Sequence, residues 1–439
     1  MTGRFVPAGF VPARFVIVGI GADGWDGLAG RARTALLEAN TVYGSARQLA
    51  LLDDAVTADR IAWRSPMSAH LRELLTDHSL TDHSLTDHSP TDQFPTDHSP
   101  TGEAPTIHVL ASGDPMFHGV GSSIVKAIGR DRVTVIPAPS SVSLAAAELG
   151  WDLAGTRIVS AVTAPPEAVV PELSDGVRIL VLSRDGSTPA ALARICRDHG
   201  FGWTTITVLA NLGGPDQHLR DGLARTWDDA PSAPLNVVAL DCVGPARSSA
   251  PGLPDDDFEN DGQLTKATVR ALTVSALRPA PGQLMWDVGA GSGSVGIEWL
   301  RASREGRVIA FEADAGRAAA LVRNADRHGV GHRLTLAGPV PASLAQAPDP
   351  DTVFLGGGVD ADVLDAAWDA LLPGGRLVGN AVAVETQELF VAAHRRLGGT
   401  LTRLAPEHHA ALGRLHAWRP ALPIIQWVAV KPAAAQEDS

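Results

Sequence analysis

The chain has 439 residues, about three times the ~150 residues of a typical domain, so its length predicts two or three domains. Hydrophobic residues make up 45% of the sequence and charged residues 19%, which argues against a chain that is disordered as a whole. The formal net charge of −13 argues against binding to nucleic acid, because a phosphate backbone needs a basic face. Two cysteines, Cys196 and Cys242, are too few for a disulfide framework or a cysteine-rich zinc site.

The sequence shows no membrane segment. Apolar runs such as residues 235–240 are far shorter than the ~20 residues that span a bilayer. The first 14 residues are broken by Pro7 and Pro12 and lack the basic end and apolar stretch of a signal peptide. We therefore expect a cytoplasmic protein that does not bind a membrane.

Residues 14–245 alternate short apolar runs with segments of helical spacing. The predicted strands are 14–20, 41–44, 107–111, 132–136, 177–182, 205–209 and 236–239, and the predicted helices include 28–39 and 122–129. Alternation of this kind is typical of an α/β domain with a largely parallel sheet.

Five consecutive pentads of the type Thr-Asp-His-Ser-Leu interrupt this pattern over residues 76–100. Four of the 15 histidines lie in them: His78, His83, His88 and His98. A period of five advances a helix by about 140° per repeat, so the histidines share no face, and the prolines oppose helix and strand alike. We therefore expect residues 76–105 to be a disordered polar insertion, with no metal site.

Small residues, prolines and acids dominate residues 246–258, which predicts a linker. A second α/β pattern follows over residues 259–433. Its predicted helices are 266–277, 294–302 and 314–328, and its predicted strands are 283–288, 307–311, 333–336, 352–355, 376–382, 400–404 and 423–430.

Two glycine-rich turns, at residues 19–24 and 291–296, match the G-x-G-x-x-G pattern of nucleotide-binding loops. A dinucleotide site also needs an acid at the end of the next strand, and the strand after the first turn ends without one. Asp287 lies just before the second turn, and Glu312 ends the strand that follows it. A carboxylate at Glu312 can accept both hydroxyls of a ribose.

Asp287 bears on the choice of cofactor. Its charge would repel a pyrophosphate, whereas it suits the cationic methionine part of S-adenosylmethionine (SAM). The second turn therefore favours SAM over NAD. An NAD-linked oxidoreductase with two Rossmann-type domains is the alternative, and a binding protein that has lost activity is a third possibility.

Longer motifs resemble a known family over nearly the whole chain. In the second half these are LTK at 264–266, WDVGAGSGS at 286–294, LPGGRLV at 372–378 and the segment that begins at Asn380. In the first half they are VGIGADGW at 18–25, ASGDPMFHG at 111–119 and PAPSSVSLA at 137–145. The two sets resemble the two halves of the decarboxylating precorrin-6Y methyltransferases of corrin (vitamin B12) biosynthesis.

The resemblance implies two SAM-dependent folds in one chain. Residues 14–245 would form a tetrapyrrole methylase domain of two α/β subdomains, and residues 259–433 a class I Rossmann-like methyltransferase. It implies methylation of precorrin-6Y at ring carbons 5 and 15, with decarboxylation of the ring C acetate to give precorrin-8. The family assigns carbon 5 to the N-terminal half and the other two steps to the C-terminal half. A tetrapyrrole substrate and a homo-oligomer are also implied.

The predicted site residues follow from these motifs, and no catalytic residue is assigned because methyl transfer depends mainly on positioning. The predicted SAM contacts are Gly113, Asp114, Ser140 and Ser141 in the first half, and Thr265, Asp287, Gly289, Ala290, Gly291, Ser292, Gly293, Glu312 and Val340 in the second. Arg270 and Asn380 are predicted to contact the substrate, whose carboxylates suit a guanidinium.

Three alternatives stay open among these residues. The two serines would cap a helix, Asp114 would close its own turn, and Arg270 would form a surface salt bridge. The sequence also departs from the family at Pro339, where an acid usually faces the adenine. Adenine recognition is then expected to use backbone groups near Val340.

Overall fold

The computed structural model describes residues 12–78 and 104–433. Most of the predicted insertion at 76–105 lies outside the described residues, although a helix continues to His78. By compactness the chain divides into two units. Within the described residues, unit 1 comprises 12–78, 104–162, 178–193 and 203–241, and unit 2 comprises 163–177, 194–202 and 242–433.

Unit 1 contains two five-stranded sheets. The first has the order β3-β2-β4-β1-β5, and all its strands are parallel. Its elements are β1 (Arg14–Ile20), α1 (Gly30–Leu37), β2 (Thr41–Gly44), α2 (Ala46–Ala50), β3 (Asp59–Ala62), α3 (Met67–His78), β4 (Thr106–Ser112), α4 (Val120–Ile128), β5 (Val133–Ile136) and α5 (Ser141–Leu149). β1 is apolar throughout because both faces of the sheet are covered: Ile17 and Val18 belong to different core clusters and are both fully buried.

The second sheet of unit 1 has the order β6-β7-β10-β8-β9. Its elements are β6 (Thr156–Ser160), β7 (Arg178–Leu182), α6 (Thr188–Asp198), β8 (Thr205–Ala210), β9 (His218–Leu223) and β10 (Asn236–Asp241). Only β6 and β7 are parallel; the other three pairings are antiparallel. The expectation of a largely parallel sheet is therefore wrong here, because the short connection between β8 and β9 contains no crossover helix.

Unit 2 is built on a seven-stranded sheet of order β13-β12-β11-β14-β15-β19-β16, in which only β19 runs antiparallel to its neighbours. Its elements are α7 (Ala267–Leu277), β11 (Leu284–Val288), α8 (Ser294–Ala302), β12 (Arg307–Phe311), α9 (Ala315–Arg327), β13 (Leu334–Ala337), β14 (Thr352–Leu355), α10 (Ala361–Ala370), β15 (Arg376–Ala381), α11 (Val384–Leu397), β16 (Thr400–Leu404) and β19 (Ile424–Val430). The strand order reverses at β11, and ligands of such sheets bind at the carboxyl ends of the strands beside the reversal.

Two features of unit 2 were not predicted. A hairpin of β17 (Glu407–Leu412) and β18 (Leu415–Pro420) precedes β19, closed by a two-residue turn in which Gly413 has a φ of +60°. The predicted linker 246–258 is also firmly attached: the backbone N–H groups of Gly252 and Leu253 donate to the Glu298 carboxylate at 2.6 and 3.0 Å. The α/β class is confirmed, and the domain boundaries stay predictions.

Candidate functional site

A cavity of about 200 Å³ opens in unit 1 at the carboxyl ends of β1 and β4. All four SAM-binding residues predicted for the first half line it: Gly113, Asp114, Ser140 and Ser141. Residues of the second sheet, such as Leu209 and Asn236, line it as well. The cavity therefore lies where both sheets of unit 1 contribute.

Glycine allows the two loops of this cavity to approach each other. The Gly113 N–H donates to the Ile20 carbonyl at 3.0 Å. A Cβ at Gly19 would lie 2.3 Å from the Gly113 carbonyl oxygen, so a side chain there would force the loops apart. Asp114 closes its own turn, since its Oδ1 accepts from the Met116 N–H at 2.8 Å. The backbone of the two loops thus provides part of this wall.

The two serines begin α5. The Ser140 Oγ accepts from the Ser143 N–H at 3.2 Å, which makes Ser140 the N-cap. Ser141 is the first helical residue. The first backbone N–H groups of a helix have no acceptor within the helix, so α5 offers donors to a ligand in the cavity.

Arg47 also lines this cavity and was missed from the sequence. Its Nη2 donates to the Ser112 Oγ at 3.1 Å, and the Gln48 Nε2 donates to the same oxygen at 3.0 Å. The guanidinium is partly desolvated by its neighbours although the side chain as a whole is exposed, and this desolvation lowers the pKa of Arg47. Its place just after β2 was the available signal, because the carboxyl ends of parallel strands share one edge of a sheet.

In unit 2, Asp287 lies near the end of β11 with 1% of its surface exposed. Its Oδ2 accepts from the Gly296 N–H at 3.0 Å, whereas its Oδ1 is buried without a hydrogen-bond partner. Burial raises the pKa of Asp287 to about 7, with a further contribution from the charge of Glu312. A buried acceptor without a partner is costly, so this atom fits a ligand group that is cationic or donates a hydrogen bond.

The glycine loop follows Asp287. Gly289, Gly291 and Gly293 have φ values of +68°, +58° and +78°, a region that favours glycine. A Cβ at Gly289 would lie 2.1 Å from the Gly357 carbonyl oxygen. A Cβ at Gly291 would meet only the Gln263 carbonyl oxygen, at 3.9 Å, so the loop is open on that side. The loop therefore forms a cradle with room for a ligand.

Glu312 is hydrogen-bonded to this loop, and its contact with a ribose stays a prediction. It directly follows β12, and its Oε2 accepts from the Gly291 N–H at 2.7 Å. Its Oε1 accepts from the Asp314 N–H at 2.8 Å. Each carboxylate oxygen has a second lone pair, so the same group can also accept from a ligand hydroxyl.

The other predicted contacts of unit 2 are placed as follows. The N–H groups of Gly289 and Ala290 both donate to the Phe311 carbonyl. Ser292 lines a second cavity, of about 220 Å³, and the Thr265 carbonyl accepts from Arg270. Val340 packs against the core cluster of β14 and β15, and its contact with adenine stays a prediction.

The structure corrects the prediction for Arg270. Its side chain is fully buried, and its Nε donates to the equally buried Glu298 at 2.6 Å. Its Nη1 donates to Asp255 at 3.1 Å and to the Thr265 carbonyl at 2.5 Å, and its Nη2 donates to the Leu253 carbonyl. It is therefore neither a substrate contact nor a surface salt bridge; it fastens the segment before α7 to α8.

Asn380 lies in β15, within a small polar cluster. Its Nδ2 donates to the Thr273 Oγ1 at 2.8 Å, and its Oδ1 accepts from the Gln426 Nε2 at 3.1 Å. Thr273 is fully buried, and Asn380 is half-buried. A substrate contact by Asn380 stays a prediction.

Two kinds of feature are absent from residues 12–78 and 104–433. No helix there is long and apolar enough to cross a membrane. No group of three or more His, Cys, Asp or Glu residues there could hold a metal ion.

Comparison with known proteins found two families and several relatives. The family described as "Tetrapyrrole (Corrin/Porphyrin) Methylases" matches residues 14–227, and the family described as "Precorrin methyltransferase domain" matches residues 256–431. A protein of Mycobacterium tuberculosis (strain H37Rv) named "Precorrin-6Y C(5,15)-methyltransferase [decarboxylating]" is 42% identical over 95% of this chain and 99% of its own length. A Sinorhizobium sp. protein of the same name is 38% identical over 94% of this chain and 95% of its own length.

One solved structure is that of the C-terminal domain of precorrin-6Y C5,15-methyltransferase from Rhodobacter capsulatus. It is 41% identical, covers 42% of this chain and 100% of its own, and has a TM-score of 0.41.

Proposed function

Because the chain belongs to the family of the decarboxylating precorrin-6Y C(5,15)-methyltransferases, we propose that it methylates precorrin-6Y at ring carbons 5 and 15 and decarboxylates it. The relatives match 94% and 95% of its length, and both halves match methylase families. SAM is the methyl donor. The alternative of an NAD-linked oxidoreductase has no support among these relatives.

The observation that carries this proposal is the joined arrangement of Asp287, the glycine loop and Glu312. The carboxylate of Glu312 has lone pairs for the ribose hydroxyls of SAM, and the partnerless Oδ1 of Asp287 suits its ammonium group. The open side of the loop at Gly291 leaves room between them. When bound, SAM supplies an activated methyl group, and these residues hold and orient the donor.

We propose that the two methylations are divided between the units. Unit 1 and unit 2 each contain a glycine-rich site of their own, at Gly113 and at Gly289. Following the family, the site of unit 1 would methylate carbon 5. The site of unit 2 would methylate carbon 15 and lose the carboxyl group of the ring C acetate, which gives precorrin-8.

The chemistry suits sites with few titratable groups. Methyl transfer to an electron-rich ring carbon is a displacement whose rate depends mainly on alignment of the two reactants. In decarboxylation the carbon–carbon bond to the carboxylate breaks, carbon dioxide leaves, and the electron pair passes into the conjugated macrocycle. The chain then has to position the macrocycle and bind its remaining carboxylates.

We propose Arg47 as one carboxylate contact in unit 1. In unit 2 the side chain of Arg270 is fully buried against Glu298, which does not support such a role for it. Arg47 is exposed, lines the cavity beside Gly113, and keeps free guanidinium N–H groups after its bond to Ser112. Arg47→Gln should raise the KM for precorrin-6Y in carbon-5 methylation and leave SAM affinity unchanged. Arg33→Gln, in the neighbouring α1, is the control.

We also propose that the chain forms a homo-oligomer through the β17–β18 hairpin. An isolated two-stranded hairpin is marginally stable in water, yet this one exposes Leu412, Leu415 and Trp418 to 59%, 73% and 67%. A second copy of the hairpin would cover these apolar side chains. Trp418→Glu should lower the mass measured by light scattering, and an unchanged mass would contradict this surface.

The central experiment incubates the full chain with SAM and precorrin-6Y and analyses the product by mass spectrometry and NMR. We expect two new methyl groups and the loss of one carbon dioxide. Gly19→Ala, which would clash with Gly113, should remove only carbon-5 methylation. Glu312→Ala should remove carbon-15 methylation and decarboxylation together. Equal loss of both methylations in either variant would contradict the division, and no methylated product from the unaltered chain would contradict the function.

A further inference from the structure

Unit 2 contains a cavity of about 420 Å³ that plays no part in the two SAM sites. Three arginines line it, Arg247, Arg301 and Arg327, together with one carboxylate, that of Asp257. Two histidines, His199 and His328, also line it. All these residues belong to unit 2. The charges around the cavity are therefore mainly positive.

One guanidinium nitrogen of Arg301 lacks a hydrogen-bond acceptor. Its Nη2 donates to the Ser248 carbonyl at 2.8 Å, but its Nη1 is buried without a hydrogen-bond partner. Burial lowers the pKa of Arg301, and the charge of Arg247 lowers it further, whereas Glu298 and Asp257 oppose this. A buried guanidinium N–H without an acceptor is costly, so an acceptor for Nη1 would stabilise Arg301.

Arg247 and His328 are held in place around the same space. Arg247 donates to the His199 carbonyl at 3.0 Å and lies over the Phe201 ring. His328 faces the Asp257 carbonyl at 3.2 Å. Burial, reinforced by the charges of Arg301 and Arg327, lowers the pKa of His328 to about 4, so this ring is uncharged at neutral pH.

A neighbouring cavity of about 490 Å³ shares three of these residues. Its further lining residues include Arg194 and three acids: Glu167, Asp198 and Asp326. The acids therefore concentrate in this second cavity. The surplus of positive charge belongs to the first cavity, where three guanidinium groups face one carboxylate.

We propose that the first cavity binds a small oxyanion that carries two negative charges, of the phosphate type. Arg301 would supply its unused N–H, and Arg247 and Arg327 would supply charge. Guanidinium groups match the oxygens of phosphate with paired N–H donors. A dianion would offset the charge of the arginines, and it would join the segment around Arg247 to α8 and α9.

This site is separate from the glycine loop of unit 2. Glu312 accepts from Asp314 just before α9 begins, whereas Arg327 is the last residue of that helix. A helix of 13 residues is about 20 Å long, so the helix separates the two sites. A dianion bound here should therefore stabilise unit 2 without competing with SAM.

The experiment uses the full chain with SAM at saturation, so that the glycine loops are filled. Inorganic phosphate is titrated by calorimetry at pH 7.5, and thermal unfolding is followed in phosphate and in chloride of equal ionic strength. We expect one phosphate to bind and the unfolding temperature to rise. Glycerol phosphate is titrated in the same way. If it binds as well as inorganic phosphate, the site accepts phosphate monoesters; if only inorganic phosphate binds, the site accepts the free dianion alone.

Arg301→Gln should weaken phosphate binding at least about tenfold, as expected when charge-assisted hydrogen bonds are lost. Arg304→Gln is the matched control, because Arg304 is exposed and pairs with Glu172. Arg327→Gln, at an exposed position, serves if the first variant fails to fold. The proposal is overturned if the unaltered chain binds no phosphate, or if Arg301→Gln and Arg327→Gln bind it as tightly as Arg304→Gln does.

Discussion

The glycine-rich sites of the two units share a sequence pattern but place their charges differently. In unit 1, backbone groups, a helix start and apolar side chains such as Phe117 and Leu144 form the wall, and the charged side chain of Arg47 is exposed. In unit 2, the carboxylate of Asp287 is buried behind the loop, and the carboxylate of Glu312 is hydrogen-bonded to the loop at Gly291. The unit 1 site is therefore expected to bind SAM mainly by shape and backbone donors, and the unit 2 site by charge.

The glycines of the two motifs also have different structural roles. Gly19 is needed because the Gly113 carbonyl comes within 2.3 Å of where its Cβ would be. Gly291 has nothing closer than 3.9 Å at that position, and its φ of +58° is what favours glycine. The same G-x-G-x-x-G motif thus allows close packing of two loops in unit 1 and a left-handed backbone turn in unit 2.

The largest effect is expected for the buried charges that support unit 2. Arg270→Leu should lower the free energy of unfolding of unit 2 by about 3–5 kcal/mol, because the buried Glu298 carboxylate loses its partner. Urea denaturation followed by tryptophan fluorescence measures this change. Arg317→Leu is the control: its pair with Asp261 is partly exposed and should contribute about 0–1 kcal/mol. If both variants lowered the free energy of unfolding by a similarly small amount, the buried pair of Arg270 and Glu298 would not be an important support of unit 2.

The next effect concerns Glu312. Glu312→Gln should weaken SAM binding to unit 2 at least about tenfold, since hydrogen bonds to a charged group contribute about 1.5–3 kcal/mol each. Two-site calorimetry on the full chain separates this site from that of unit 1, whose affinity should not change. Glu305→Gln, at an exposed position before β12, is the control.

The type of contact can be checked with 5′-methylthioadenosine, which keeps the ribose and lacks the ammonium group. Its binding should weaken in Glu312→Gln by the same factor as that of SAM. If Glu312→Gln left the affinity for SAM or for 5′-methylthioadenosine unchanged, Glu312 would not contact the ribose. Unit 2 would then lack the charged contact that distinguishes its site from that of unit 1.

A third prediction uses pH. The pKa of Asp287 in the folded protein is about 7, so SAM affinity at unit 2 should rise about tenfold from pH 6 to pH 8 as the binding-competent carboxylate becomes populated. Asp287→Asn should abolish this rise. The ammonium group of SAM also titrates, but it does so equally in both proteins and cancels in their ratio. Affinity at unit 1 should change with pH equally in both proteins.

The same pKa fixes the sign of a stability effect. The ordinary pKa of an aspartate is 3.8, and burial raises it here to about 7. Between these values the unfolded chain loses the proton that the folded protein keeps, so the free energy of unfolding falls as pH rises and levels off above 7. Asp287→Asn should flatten this slope. An unchanged slope would show that Asp287 is not the titrating group.

Buried elements could be predicted from the sequence. The strands β1, β12 and β14 have the predicted bounds, since most of their residues are apolar and buried. β2 and β16 also have the predicted bounds, although β16 is largely exposed. The missed strands β3, β9, β17 and β18 are largely exposed and polar, and their ladder hydrogen bonds leave no periodic apolar signal. The strand β6 was missed as well, and only two of its five residues are buried.

Among the site residues as well, only some positions could be predicted from the sequence. Asp287, the loop and Glu312 follow one another along adjacent strands, so their meeting could be predicted. Arg270 was misplaced because helical spacing shows which residues share a face but not which face turns inward. Arg47 was missed because its partner Ser112 lies 65 residues away in the sequence.

The smallest effect is expected at Ser140, and it bears most directly on how unit 1 binds SAM. Ser140→Ala should lower the free energy of unfolding of unit 1 by about 1 kcal/mol, because the Ser143 N–H loses its acceptor. Ser141→Ala should change it little, since alanine is a good helix former at the first position. If the Ser140 hydroxyl serves only as a cap, SAM affinity at unit 1 should be nearly the same in both variants. A loss in Ser140→Ala as large as that of Glu312→Gln would mean that a side chain contacts SAM in unit 1 as well, and the contrast between backbone and charge would not hold.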